Sequence, residues 1–254
     1  MQGIKIQSLE VLKITLVRWI KNVLHAIRRY FEFDTREILE ILVLSIVASA
    51  VLKLMEFELP SFLAFSGVFF IIILVKISFQ KIVGILYGYK VNFFIDEKIG
   101  IIPTLFFTII PFPFKLFYTG TVKVSPIDKL RIGYKTKELR LKSKGLISVA
   151  GIVPMILILI IFKTLDLTYG SYETITIILY LVIISSLLPI FHYDGFNLLY
   201  ASRTTYVFYT TMVVLFLILI NFISSLFWSV VLALIFASMA SIIYYLQLES
   251  PLRE

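Results

Sequence analysis

The stretch SFLAFSGVFFIIILVKISFQKIVGILYGYKV, residues 61–91, decides how this chain folds. From Ser61 to Val75 it carries no charge, and as far as Leu86 it stays apolar for longer than the roughly 18 residues that mark a bilayer-crossing helix. Lys76, Gln80 and Lys81 interrupt its second half. At Tyr87-Gly88 the apolar run stops, and YKVNFFI (89–95) alternates as a strand does. Such a strand either pairs within the chain or offers an edge to which a partner adds a strand of its own.

Hydrophobic residues make up 59% of the 254, against about 45–50% in soluble domains, so the whole chain reads as an all-α polytopic membrane protein. Apolar runs at Ile38 to Leu54, Ser61 to about Leu86, Leu146 to Phe162 and Thr174 to about Pro189 each fit one span. Tyr206 to Tyr245 is too long for one helix and divides at NFISS (221–225), which makes six transmembrane helices in all. The net charge of +8 lies mostly between these runs, where Lys and Arg act as topology signals, and no stacking or basic-groove motif speaks for nucleic acid. With no cysteine there is no disulfide, no thiolate metal site and no Cys nucleophile. His25 and His192 are the only imidazoles.

Residues 1–35 form a first unit. Lys5, Lys13, Arg18, Lys21, Arg28 and Arg29 interrupt every stretch long enough for the apolar core of a signal peptide. Leu9, Leu12, Leu16, Ile20, Val23, Ile27 and Phe31 recur at helical spacing, which predicts an amphipathic surface helix. Its membrane-surface residues are Lys13, Arg18, Lys21, Arg28 and Arg29, with Trp19 as interface anchor; His25 reads as solvated or headgroup-facing, and docking on a partner subunit is the other use of such a helix. The membrane core follows at 36–200, and a C-terminal helical hairpin with a short tail at 201–254.

Charge asymmetry sets the topology. The N-terminal region carries seven basic residues counting Arg36, and residues 121–145 carry eight, so both are expected in the cytoplasm. A full crossing between them at 99–120 would put the eight-charge loop outside. That stretch also holds Pro103, Pro111 and Pro113, which break helical continuity, and a re-entrant embedded loop is expected there instead. The remaining helices then alternate consistently, with both termini on the cytoplasmic side of a cell membrane.

The order of elements resembles the site-2 protease family of intramembrane zinc metalloproteases, especially archaeal members with an extended embedded loop. The resemblance covers residues 61–200: a long helix, Tyr87-Gly88-Tyr89-Lys90-Val91, an embedded loop, TGTVKVS (119–125), KSKGLISVAG (142–151) opening a helix, and SLLPIFHYDG (186–195). The family carries HExxH about eleven residues before the YG pair, two imidazoles on one helix face holding zinc. Here those positions are Lys76, Ile77 and Gln80. The family's third ligand, in an NxxPxxxxDG motif, falls on Asp194 beside Gly195, with Pro189 retained and Ser186 in place of the asparagine. The usual AGP becomes Ala150-Gly151-Ile152.

Zinc hydrolysis of a peptide bond requires about three protein ligands, an open position for water and a general base. Asp194 alone does not supply them, and His192 with it makes a weak metal site. Ser185 and Ser186 have no evident base. The degenerate former site is therefore Lys76, Ile77, Gln80, His192, Asp194 and Gly195, without catalytic residues, metal or cofactor. For Lys76 two readings stand: an ion pair with Asp194 at comparable depth, or snorkelling of Lys76 and Lys81 to the headgroups.

These readings lead to a non-catalytic pseudoprotease in the lipid bilayer that binds or scaffolds the transmembrane segment of a membrane-protein partner. An accessory subunit or assembly factor of a larger membrane complex, docking through its basic loop and N-terminal helix, is one alternative. A residual metalloprotease using His192, Asp194 and a partner's ligands is another. Transport fits less well, because few ionisable groups are available to line a midplane path.

Overall fold

The computed structural model describes Lys21 and residues 23–54, 62–96, 100–102, 104, 106, 117–127, 141–169, 173–191, 193–223 and 225–249. Within them the chain is mostly helical with one two-stranded sheet. Helix α1 spans Thr35–Leu54 and α2 Phe62–Leu86; strands β1 (Tyr89–Phe94) and β2 (Thr121–Pro126) follow, then α3 (Leu141–Tyr169) and α4 (Glu173–Leu187). A short α5 (Asp194–Ala201) leads into α6 (Arg203–Phe222) and α7 (Leu226–Tyr244), which ends in a π-helical turn, Tyr245–Glu249.

The transition from α2 to β1 turns on Gly88, whose φ of 80° lies in the left-handed region that side chains other than glycine rarely adopt. The chain folds back, and β1 lies on the end of α2. β1 and β2 pair antiparallel with Val91 opposite Val124 and Phe93 opposite Val122. Their buried side chains Tyr89, Val91, Val122 and Val124 pack with Ile147 of α3 in a small second core. The main core draws on α1 to α4, α6 and α7, around Phe69, Ile73 and Ile77.

Ser202 opens α6, its hydroxyl accepting the Thr205 N–H at 3.3 Å as an N-cap does. Along α7, Ser229, Ala233 and Ala237 recur every four residues and are fully buried, small side chains that let two membrane helices approach closely. The opposite face presents Ile235, Phe236, Met239 and Ile242 outward.

Among the described residues four helical stretches are long and apolar enough to cross a membrane: Phe65–Leu86, Leu141–Leu165, Arg203–Phe222 and Leu226–Leu248. Two further helices lie where spans were expected. α1 has Arg36, Glu37 and Glu40 in its first turns, and α4 has 15 residues, about 22 Å at the helical rise against a hydrocarbon core of about 30 Å. The expected turn in the C-terminal hairpin is where α6 gives way to α7. Most of the expected re-entrant segment 99–120 lies outside the described residues, as do Lys13, Arg18, Trp19 and His192. Of the basic stretch 121–145, residues 121–126 are β2 and 141–145 begin α3. Residues 23–30 are helical, with His25, Arg28 and Arg29 exposed.

Candidate functional site

Three elements converge on Asp194. On α2, Lys76 and Gln80 are one helical turn apart and share a face, while Ile77, between them in sequence, turns into the main core. The α4 helix stops at Leu187, and Pro189, which has no N–H to continue a helix, lies in the irregular segment that follows. Helix resumes at Asp194, in the first turn of α5. The third element is the segment 117–120 that leads into β2.

The Lys76 Nζ lies 2.7 Å from Asp194 Oδ2, both side chains 2% exposed. The contact is an ion pair rather than a directed hydrogen bond, and the other carboxylate oxygen, Oδ1, accepts from Gln80 Nε2 at 3.1 Å. The ammonium also donates to Thr119 Oγ1 at 2.8 Å and approaches the Thr119 carbonyl at 3.5 Å. The ammonium is thus held by Thr119 and by the charge of Asp194, whose Oδ2 accepts no hydrogen bond among the described residues. Ser186 gives its proton to the Val182 carbonyl at 2.8 Å, so the 3.3 Å contact between Thr119 and Ser186 has Thr119 as donor. Ser185 accepts the Phe117 N–H at 3.1 Å, and the two serines together fasten segment 117–120 to the end of α4. Gln80 Oε1 and Ser148 Oγ are buried here without a partner among the described residues.

Tyr118 and Tyr193 meet edge to face at 5.6 Å beside the pair.

Gly195 follows Asp194 for a steric reason. A Cβ there would collide with the backbone carbonyl of Leu187, so α5 can close against the end of α4 only with glycine. Gly195→Ala is expected to destabilise the protein by about 1–3 kcal/mol, as overpacking of a filled interior does, and to displace Asp194. Unfolding in detergent should show the first effect. Faster amide exchange at the start of α5 should show the second.

Lys81 has a separate partner set. Its ammonium lies 2.6 Å from Glu37 Oε2 and 2.6 Å from the Glu32 carbonyl, and 4.5 Å from the centre of the Phe33 ring. Lys76 and Lys81 are 2% and 3% exposed, so neither snorkels. This corrects one of the two readings offered for them. Sequence reasoning also missed Glu37, although Asp34-Thr35-Arg36-Glu37 has the spacing of a capping box. Glu37 Oε2 does accept the Asp34 N–H at 3.2 Å.

Glu37 Oε1 accepts the Phe93 N–H at 2.7 Å, and Glu40, whose Oε1 accepts from Arg36 Nε, takes the Ile95 N–H on Oε2 at 3.1 Å. β1 is therefore covered on one side by β2 and on the other by two carboxylates. Of the two readings offered for 89–95, pairing within the chain is the one found, over Tyr89–Phe94.

A zinc ion does not fit this centre. The Lys76 ammonium lies against one Asp194 oxygen, the Gln80 amide holds the other, and Ile77 is in the core. Among the described residues no three His, Cys, Asp or Glu side chains converge. No family model, curated protein or solved structure matches the chain.

Proposed function

We propose that the chain is a non-catalytic membrane protein on a site-2-protease-like plan, a pseudoprotease that binds or scaffolds the transmembrane segment of a membrane-protein partner. The Lys76–Asp194 pair carries this reading. A fixed ammonium stands where the resemblance places a divalent ion, and it neutralises the aspartate without activating water. On this reading the surrounding helices accept a partner's transmembrane segment without cutting it. In this reading six helices cross a cell membrane, 99–120 forms an embedded loop, both termini lie in the cytoplasm, and residues 1–35 anchor at the headgroups. No cofactor is required.

The test restores the missing ligands. Lys76→His, Ile77→Glu and Gln80→His together place two imidazoles at i and i+4 beside Asp194. The triple variant is expected to retain stoichiometric zinc through purification, and the unaltered protein none. Zinc in the unaltered protein, with cleavage of a transmembrane reporter that Asp194→Asn abolishes, would overturn the proposal.

A further inference from the structure

The outer face of the sheet borders a cavity that the polar centre does not use. Side chains alternate along a strand, so while Tyr89, Val91, Val122 and Val124 pack into the second core, Asn92, Phe94, Thr121 and Lys123 turn to the other face. In the ladder Asn92 stands opposite Lys123, and Phe94 opposite Thr121. These four line a cavity of about 670 Å³ together with Lys144 of α3 and Asn197 of α5, within the range of about 300–1,000 Å³ that bound ligands occupy. Lys144 is in the first turn of α3. The cavity therefore lies where a helix long enough to cross a membrane begins, which is the level of lipid headgroups.

The polar lining lacks partners. Thr121 and Asn197 are each 6% exposed, and neither makes a side-chain hydrogen bond to any described residue. Polar side chains so deeply placed are nearly always hydrogen-bonded. Lys123 and Lys144 likewise form no ion pair and no hydrogen bond among the described residues. The acidic lining is largely answered, Glu37 by Lys81 and Glu40 by Arg36. That leaves Lys123 and Lys144 against Asp34, an excess of one positive charge.

The rest of the lining is aromatic. Phe191 and Phe196 meet edge to face at 5.0 Å, and Phe196 stacks on Tyr200 at 6.0 Å. Phe191 and Tyr200 are exposed, so the row leads from the cavity to the surface. Aromatic side chains gather at the headgroup level of a bilayer. Water or a small free anion satisfies the polar groups and leaves the aromatic row without a use, whereas an amphiphile uses both.

From these observations we propose that the cavity binds one anionic phospholipid. Its phosphodiester lies between the Lys123 and Lys144 ammonium groups and accepts from the Thr121 hydroxyl and the Asn197 amide. Its acyl chains leave along Phe191, Phe196 and Tyr200. The single negative charge meets the single excess positive charge, as acidic headgroups do in basic pockets between membrane helices. The site is separate from the Lys76–Asp194 pair and does not depend on the pseudoprotease reading.

The probe is phosphatidylglycerol titrated into the full chain in mild non-ionic detergent, with retained lipid counted by native mass spectrometry. Phosphatidylcholine is the neutral control, and glycerophosphoglycerol supplies the same headgroup without acyl chains. One phosphatidylglycerol is expected to bind about tenfold more tightly than phosphatidylcholine, the effect of a charge-assisted contact, and glycerophosphoglycerol more weakly than either lipid. Thr121→Val and Asn197→Leu leave the charge unchanged, and each is expected to weaken binding about fivefold, the loss of one hydrogen bond. Lys123→Gln with Lys144→Gln should abolish the preference over phosphatidylcholine.

Equal retention of the two lipids, or glycerophosphoglycerol binding as tightly as phosphatidylglycerol, overturns the proposal. So does binding that both charge-neutral variants leave unchanged, because the lipid then sits elsewhere on the chain. A phosphatidylglycerol with a photoreactive diazirine near its glycerol backbone tests the place on the unaltered protein. Crosslinks within residues 191–200 are expected, and crosslinks confined to the basic residues 1–35 overturn the site even where no variant folds.

Discussion

Lys76→Met alone is expected to cost about 3–5 kcal/mol of stability, because it leaves the Asp194 carboxylate buried and uncompensated. The size of the effect follows from the burial of both partners, 2% exposed each, where neither water nor salt screens the loss. Asp194→Leu alone should cost a similar amount by stranding the ammonium. The double replacement Lys76→Met with Asp194→Leu is expected to fall close to the unaltered protein, since apolar residues of similar volume often replace a buried pair without loss. Unfolding in mixed detergent micelles, measured over all four proteins of the cycle, gives the coupling directly. Small, additive single effects would show that the two charges do not depend on each other. They would also remove the electrostatic basis of the proposed function.

Glu37→Ala is expected to have a comparable effect for a different reason. One carboxylate holds Lys81 at 2.6 Å, the Phe93 N–H at 2.7 Å and the Asp34 N–H at 3.2 Å, so its removal unpairs a buried cation and two backbone donors together. About 3–5 kcal/mol is expected, the range for breaking a buried ion pair. Glu37→Gln should cost less, because its amide oxygen can still accept from Phe93. Glu37→Gln with Lys81→Met should recover most of the loss. Amide exchange at Phe93 separates the two contributions: it should rise in Glu37→Ala and stay slow in Glu37→Gln. If Phe93 is equally protected in both, Glu37 is not what covers that edge of β1.

The two lysines of α2 stand five residues apart and perform different tasks. Lys76 fills the centre of the bundle and fixes the segment ahead of β2 through Thr119. Lys81 fixes the start of α1, whose Glu37 in turn covers the edge of β1. One helix thereby sets both the polar centre and the position of the sheet.

The membrane class, the places of the helices and the strand after Tyr87-Gly88 were legible in the sequence, because apolar runs and side-chain alternation are properties of neighbouring residues. Lys76 and Asp194 could be singled out for the same reason: each is a charge set in an apolar context. Whether they meet was not legible. Lys76 reaches Thr119 across 43 residues, Phe93 reaches Glu37 across 56, and Gln80 reaches Asp194 across 114. Local periodicity carries no information about such partners; they are chosen when helices pack and each buried polar group takes an acceptor within reach. The same packing decided that the outer edge of β1 is covered, by Glu37 on the Phe93 N–H and Glu40 on the Ile95 N–H.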